Sequence, residues 1–158
     1  MTTEPKLTIE LVPSTVWYSS MYQYYKKTNN PKKWSEIKEA LFAKEGHKCW
    51  TCGKETMRLE AHEFWGYDDV NHIQKLEAIH HLCSLCHKIK HIGLWLHTED
   101  GARILQKERL TKEDVVGHFC NVNSCSKKDF HKHEDEAFKV WNERSGHQWK
   151  QDFGGYKA

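Results

Sequence analysis

Apolar and polar residues alternate near the start of the chain and then change to helical spacing. Residues 6–12 alternate as far as Pro13, which predicts a strand in that stretch. From Trp34 onward, apolar residues recur every three or four positions until Gly46. This spacing predicts a helix that ends at the glycine and delivers the chain to Cys49.

Two further strands and a helix are predicted in the middle of the chain. Residues 56–65 carry apolar residues at period two, which predicts a strand with His62 on the face opposite to them. The next stretch begins with turn residues and can hold a short helical turn, and "LEAIHHL" then predicts a second strand leading into Cys83. The segment after it predicts a helix that ends at Gly93.

The C-terminal third has the spacing of two amphipathic helices. The first has a capping-box-like start, with Thr111 three residues before Asp114. The second covers residues 133–146, with Phe138 and Trp141 expected to face inward. Short strands in the middle and helices on either side of them predict a small fold of the α+β class.

Length and composition place these elements in one domain, residues 1–158. Its expected core unit spans 45–93, with 1–44 and 94–158 packed around it. Hydrophobic residues make up only 38% of the chain, so a bound metal is a plausible extra source of stability.

The same composition limits location and partners. No apolar run approaches the length of a membrane span, and the N-terminal residues lack the apolar stretch of a signal peptide. A cytoplasmic protein with reduced thiols and no membrane partner is therefore expected. The net charge of +2 does not by itself indicate nucleic-acid binding, although local clusters of Lys and Arg can form a positive face.

Four of the six cysteines form two pairs with the spacing of a metal site. Cys49 and Cys52 make one pair, and Cys83 and Cys86 make the other. Two intervening residues allow both sulfurs of a turn to reach one ion, and two such turns complete a tetrahedral site. We expect a closed, structural zinc site; buried free thiols or a redox pair are the alternatives.

The other two cysteines are less informative. Cys120 and Cys125 can be combined with His131 and His133 into a further metal site, but the spacing is loose and the segment is polar. Because such spacing is not typical of a zinc site, free cysteines are expected at both positions.

Histidines follow the second cysteine pair and also occur on the predicted strand before it. On a helix, His87 and His91 share a face and can bind a second metal ion, although His87 can also simply cap or pack. His62 and Glu63 are neighbours in a strand, so only one faces this helix unless a bulge near 64–66 brings both round. A neutral histidine can accept a proton from water, and a divalent ion can polarise a phosphodiester, so this unit can hydrolyse nucleic acid.

The segments "CWTCG", "LEAHEFW" and "LCSLCHKIKH" resemble, in order and spacing, the zinc-containing HNH endonucleases. The core of the resemblance covers about residues 45–93, and a broader resemblance to a bacterial and phage subgroup extends over nearly the whole chain. It implies a zinc-stabilised ββα-metal core with the four paired cysteines as zinc ligands. It also implies a nucleic-acid substrate, DNA in the first instance, and a catalytic ion such as Mg²⁺, Mn²⁺, Ni²⁺ or a second Zn²⁺.

The resemblance also implies roles for single residues. His62 matches the general base of the family, and His87 matches the metal-binding histidine of its helix. His91 is then a candidate second ligand. Lys88 and Lys90 would lie near phosphate and bind nucleic acid.

Two positions depart from the family pattern. Many members have an acidic metal ligand directly before the base histidine, where this chain has Ala61. Its substitutes are Glu63, Asp68 or Asp69; alternatively, His62 is itself a metal ligand and Glu63 is the base. The asparagine usual before the second cysteine pair is also missing, and its candidate replacements are Asn71 and His81.

Two functions are compatible with these residues. One is a metal-dependent endonuclease whose basic clusters bind the phosphate backbone in a salt-sensitive and largely sequence-independent way. The other is a catalytically degenerate module of the same fold that binds nucleic acid or a partner protein without cutting. The departures from the family pattern and the richness in Trp and Tyr favour the second function. His62, Glu63, His87 and His91 together are more than a structural zinc turn needs, and they favour the nuclease, which is the function expected from the sequence.

Overall fold

The computed structural model describes residues 6–17 and 20–157, and this part of the chain combines one small sheet with seven α-helices. The fold is therefore of the predicted α+β class. No helix in this part of the chain has the length and apolar character needed to cross a membrane. The elements in chain order are a 3-10 helix (Ser14–Val16), α1 (Met21–Lys27), α2 (Lys33–Glu45), β1 (Leu59–Asp68), β2 (Ile73–Cys83), α3 (Ser84–Lys90), α4 (Ile92–His97), α5 (Glu99–Lys107), α6 (Lys112–Asn123), α7 (Lys127–Arg144), β3 (Lys150–Asp152) and a second 3-10 helix (Gly154–Tyr156).

An antiparallel hairpin of β1 and β2 forms the centre of the sheet. Its register places His62 opposite His80. Residues 69–72 make the turn, and the carboxylate of Asp68 accepts two backbone hydrogen bonds within it, so the short helical turn expected here is absent. β3 pairs in parallel with β2 alone, which leaves β1 as an edge strand of the sheet.

Two hydrophobic clusters hold the helices against the hairpin. The first joins β2 to the helices that follow it and fully buries side chains such as Ile89 and Phe119. The second joins β2 to α1 and buries Met21. Because successive side chains of a strand point to opposite faces, Leu82 belongs to the first cluster and Ile79 to the second.

The predicted helix signals in α2 and α6 are confirmed. α2 ends before Gly46, whose φ of 71° is a conformation that glycine adopts without steric cost. α6 begins with a reciprocal capping box between Thr111 and Asp114. α7 is also present, but Ser126 and Asp129 form a second capping box that starts this helix well before its predicted position.

Residues 6–12 do not form the predicted strand. The backbone N–H of Leu7 donates to Oδ1 of Asn123 at 2.9 Å, and Nδ2 of Asn123 donates to the backbone C=O of Leu7 at 2.8 Å. The N–H of Ile9 donates to Nε2 of His133 at 3.0 Å. Leu7 and Ile9 are buried, as one face of a half-buried strand would be, but the backbone forms its hydrogen bonds with α6 and α7 and not with another strand.

Two element boundaries also differ from the predictions. The predicted helix ending at Gly93 is split at His91, which leaves the helical conformation with ψ of 35°. Gly93 lies inside α4, where an added Cβ would lie 3.7 Å from the ring of Phe138. β1 begins at Leu59 and not at residue 56, since Met57 is 76% exposed and pairs with no strand.

Candidate metal centres

The four paired cysteines lie together at the open end of the hairpin. Cys49 and Cys52 come from the loop before β1, Cys83 ends β2, and Cys86 lies in the first turn of α3. Their sulfur atoms all lie within 4.8 Å of one another, and Sγ of Cys52 and Cys83 are 3.7 Å apart. Four Zn–S bonds of about 2.3 Å separate sulfurs by about 3.8 Å, so this four-cysteine cluster fits a tetrahedral metal ion.

Backbone and side-chain groups support these sulfurs. The N–H groups of Cys52 and Cys86 donate to Sγ of Cys49 and Cys83, each at 3.5 Å. Nε2 of His118, on α6, lies 3.1 Å from Sγ of Cys86. Such outer contacts orient metal ligands, and this one ties α6 to the cluster. No sequence signal pointed to His118, because only folding brings it to the cysteines.

Cys120 and Cys125 are free cysteines, as predicted. Within residues 6–17 and 20–157, neither joins His131 or His133 in a group that could hold a metal ion. His133 instead accepts a hydrogen bond from the backbone N–H of Ile9. These cysteines therefore take no part in the candidate metal centres.

Three histidines from the hairpin and the following helix form a second cluster. His62 lies on β1, His87 on α3, and His91 directly after that helix. The ring centroids are 5.1 Å apart for His62 and His87, 5.0 Å for His62 and His91, and 4.8 Å for His87 and His91. Each ring offers a nitrogen within 4.8 Å of the other two. Three ligands leave a coordination position open, as in catalytic metal sites.

The electrostatics of this three-histidine cluster favour neutral imidazoles at His62 and His91, which then have the lone pair that a metal ion requires. Burial, followed by the nearby His91 and His87, lowers the pKa of His62 far below its usual range. Burial and the proximity of His87 lower the pKa of His91 to about 4. Nε2 of His62 is buried and has no hydrogen-bond partner in the described part of the chain, a costly arrangement unless an ion or a water binds it.

Glu60 supports the cluster from the same face of β1 as His62. One of its carboxylate oxygens lies 2.7 Å from Nδ1 of His87, and this hydrogen bond lowers the pKa of Glu60. A proton held on Nδ1 leaves the lone pair on Nε2 for a metal ion, as is usual for metal-binding histidines. Glu60 was not predicted from the sequence, where other carboxylates were expected as metal ligands. The available signal was the spacing of two residues between Glu60 and His62, since such residues share a strand face.

Replacing Glu60 with alanine is expected to weaken binding of a divalent ion at the three-histidine cluster by about 10- to 100-fold, because His87 loses its orienting partner. Glu60→Gln still accepts the Nδ1 proton without the negative charge, so an intermediate loss is expected. Calorimetric titration of Ni²⁺ into protein with a loaded four-cysteine cluster measures the effect. Glu77→Ala, at an exposed position of β2, is the matched control. Equal losses in both alanine variants would contradict the role of Glu60.

Glu63 does not reach the cluster. Its carboxylate accepts hydrogen bonds from the backbone N–H of Met21 at 2.7 Å and from Nε1 of Trp65 at 3.2 Å, on the opposite face of β1. The register irregularity lies between Phe64 and Trp65, where a bulge was expected, but it follows Glu63 and does not turn it toward His62. Glu63 is thus held by the start of α1 and lies outside the three-histidine group.

The remaining candidates for the missing family residues also lie elsewhere. Asp68 bonds to Asn71 within the hairpin turn, and Asp69 pairs with Arg144 at 2.8 Å. His81 is buried on the other face of the sheet, where it stacks on a ring of α2. Asp68, Asp69 and His81 belong to neither of the two metal-ligand groups in the described residues, and Asn71 is held in the turn by Asp68.

Lys88 and Lys90, the predicted phosphate contacts, are 3% and 2% exposed. Lys88 forms an ion pair with Glu108 at 2.8 Å, and Lys90 forms one with Glu10 at 3.2 Å. Both positive charges are thus balanced inside the protein, and the structure does not present them to a nucleic acid. The sequence shows the charges but not the acidic partners, which lie 20 and 80 residues away.

The three-histidine cluster lies in the wall of a cavity of about 520 Å³, here named the histidine cavity. This volume is within the range of roughly 300–1,000 Å³ that is typical of small-ligand sites. Besides the histidines and Glu60, the lining is strongly aromatic and includes Trp17, Trp34, Trp65 and Trp95.

Comparisons of the chain with known protein families, with curated proteins and with solved structures give no match. Its function has to be inferred from the site itself. The described residues bring together two groups that can hold metal ions, one of four thiols and one of three imidazoles, and the second group borders an aromatic cavity.

Proposed function

We propose that the protein is a metal-dependent endonuclease of the HNH type that hydrolyses phosphodiester bonds of nucleic acid, with DNA as the first substrate to test. The observation that carries the proposal is the convergence of His62, from the first strand of the hairpin, with His87 and His91, from the helix that directly follows the second strand. The sequence resemblance implies this arrangement of ligands on a ββα unit. The histidine cavity gives a substrate access to the cluster.

Zinc in the four-cysteine cluster is the second part of the proposal. Cys83 is both a candidate ligand and the N-cap of α3, where its sulfur accepts the N–H of Cys86. A zinc ion there would fix the start of α3 relative to the loop before β1. Because His87 directly follows Cys86, the same ion would hold His87 at a constant position relative to His62.

In this proposal His62 is a metal ligand, the second of the two roles that the sequence left open, because its ring lies within the cluster. A divalent ion at the cluster would supply Lewis acidity toward a phosphoryl oxygen and would activate water as a nucleophile at neutral pH. Glu60 would keep the proton of His87 on Nδ1, which would leave the lone pair on Nε2 for the ion. Because imidazole ligands suit Zn²⁺ and Ni²⁺ better than Mg²⁺, we expect the softer ions to support activity best.

A second candidate function is a binding module that does not cut nucleic acid. The observation that favours it is the position before His62, where Ala61 supplies no carboxylate, while Glu63 on the other side is held by the start of α1. In that case the three-histidine cluster would bind a metal ion without hydrolysing a phosphodiester. The two functions differ in one measurable property, which is cleavage.

A nicking assay on supercoiled DNA with added Zn²⁺, Ni²⁺, Mn²⁺ or Mg²⁺ tests the proposal. Wild-type protein is expected to nick the plasmid, and His87→Ala is expected to do so at least 100-fold more slowly. Loss of a residue that orients a metal ligand costs roughly 10- to 100-fold in activity, and loss of a ligand itself should cost more. His131→Ala, an exposed histidine outside the cluster, is the matched control. Absence of cleavage of DNA and RNA by metal-loaded wild type would favour the binding module.

A further inference from the structure

A second cavity adjoins the histidine cavity. Its volume is about 450 Å³, and the two cavities share Val12, Trp17, His91 and Leu94 as lining residues. The lining of this second space, here named the apolar cavity, also includes Phe138 and is mainly hydrophobic. Because His91 belongs to both linings, a ligand bound at the three-histidine cluster can extend directly into the apolar cavity.

The joined cavities contain most of the tryptophan of the protein. Five of the seven tryptophans line one or both of them: Trp17, Trp34, Trp65, Trp95 and Trp141. Proteins that bind single-stranded nucleic acid stack its bases on aromatic side chains, because every base has a π-face, and usually add a positively charged groove for the backbone. The ring of Trp17 already contacts that of His91 edge-on, with centroids 6.2 Å apart.

The charges around the histidine cavity are unsuited to a duplex backbone. Its lining includes Glu60, Glu63 and Glu108, whereas its one lysine, Lys88, is buried and paired with Glu108. Proteins that bind duplex DNA neutralise several phosphates with exposed Lys and Arg. Attraction to a string of phosphates is therefore weak here, and the affinity for a substrate has to come from apolar and stacking contacts.

We propose that the joined cavities bind unpaired nucleobases on either side of the phosphate at the three-histidine cluster, so that the substrate is single-stranded or locally opened nucleic acid. In a duplex the base faces are stacked on one another and only their edges are exposed, so aromatic side chains cannot reach them without opening the helix. This inference rests on the proposed function for the position of the phosphate. The base-binding site itself does not depend on cleavage.

Gly93 offers a way to fill the apolar cavity. It lies in α4 and lines that cavity, and a Cβ built on it meets only ordinary contacts of 3.7 to 3.9 Å with Phe138 and Leu11. A side chain at this position therefore begins without a clash at Cβ, and the rest of a leucine would extend among residues that line the apolar cavity, into the space proposed for a base. Gly117, in α6, has no heavy atom within 4 Å of an added Cβ, so Gly117→Leu is the matched control.

The test is a titration of zinc-loaded, full-length protein with short oligonucleotides, followed by tryptophan fluorescence. Single-stranded DNA and RNA of the same sequence and a blunt DNA duplex are compared, without a second metal ion. We expect quenching by a single strand and at least about tenfold tighter binding than for the duplex, since one stacked base is worth about 5- to 150-fold in affinity. Because few phosphates are neutralised, raising the salt from about 50 to 200 mM should weaken binding by about tenfold or less.

Gly93→Leu should weaken single-strand binding by at least about fivefold, the loss of one stacked base, and Gly117→Leu should leave it unchanged. Melting temperature and metal content show whether both variants keep the fold. Duplex binding as tight as single-strand binding by wild type would overturn the inference without any variant. If Gly93→Leu weakens single-strand binding and no strand is cleaved, base binding is supported and the nuclease is refuted. If duplex and single strand are cleaved equally fast, the nuclease is supported and base binding is refuted.

Discussion

Cys86→Ser is expected to abolish cooperative folding, and so is removal of zinc by a chelator. Binding of a structural zinc ion is worth about 10–16 kcal/mol in small zinc domains, whereas a whole domain is stable by about 5–15 kcal/mol. Without the ion, four thiols that are mostly buried lose the partner that compensates for their burial. The metal-free chain should therefore be unfolded or only partly folded under conditions where the zinc-loaded protein is native.

The position of the cluster explains why the effect should extend through the molecule. The ion would join the loop before β1 to the end of β2, which lies directly before α3. His118 extends the connection to α6 through its contact with Cys86. Loss of the ion thus removes the constraint between the sheet and the helices of the first hydrophobic cluster.

Thermal unfolding followed by circular dichroism, together with elemental analysis, measures this effect. Cys125→Ser is the matched control, because the same substitution is made at a free cysteine outside the cluster, and wild-type zinc content and melting behaviour are expected. Pure wild-type protein without bound zinc, or a Cys86→Ser variant with the melting temperature of the wild type, would contradict a structural zinc site.

Wild-type protein is expected to bind two divalent ions per chain, and His91→Ala is expected to bind one. The second ion would bind the three-histidine cluster, where each imidazole supplies one of only three protein ligands. Loss of one ligand should weaken this site by at least 100-fold, more than the roughly 10- to 100-fold that follows loss of an outer partner. The four-cysteine cluster is separate in space, so its zinc should remain and the variant should stay folded.

The measurement is metal content after dialysis against Ni²⁺ or Zn²⁺, with calorimetric titration for the affinity. His131→Ala controls for the loss of a histidine that lies outside the cluster, and it should still bind two ions. Mg²⁺ should bind much more weakly than Ni²⁺, since the cluster has nitrogen ligands only. A stoichiometry of one ion per chain for wild type would refute a metal site at the three histidines.

Much of the site could be predicted from the sequence because its signals are local. Two cysteines separated by two residues can serve one ion whatever surrounds them, and the four predicted cysteines indeed lie together. The positions of His87 and His91 relative to each other follow from helical spacing, even though the helix ends at Lys90. The second strand was also recognisable, because it leads directly into Cys83.

Features that depend on distant partners could not be predicted. The charge of Lys90 is visible in the sequence, but its pairing with Glu10 depends on folding, which brings together residues 80 positions apart. The alternation of residues 6–12 reports buried side chains, and nothing in it shows that Asn123 would bind the backbone there. Glu60 is an intermediate case, since its strand face was predictable and its contact with His87 was not.

Residues that precede the metal-binding region in the sequence complete the two cavities. All seven candidate metal ligands lie between Cys49 and His91, but Val12 and Trp17 complete the wall where the two cavities meet. That wall is held from the far end of the sequence, where Trp141 donates to the carbonyl of Val12. A fragment restricted to residues 49–91 would keep all the candidate metal ligands and lose the part of the cavity wall that contacts a ligand at the junction. Reactivity and ligand selectivity can therefore change independently in this protein.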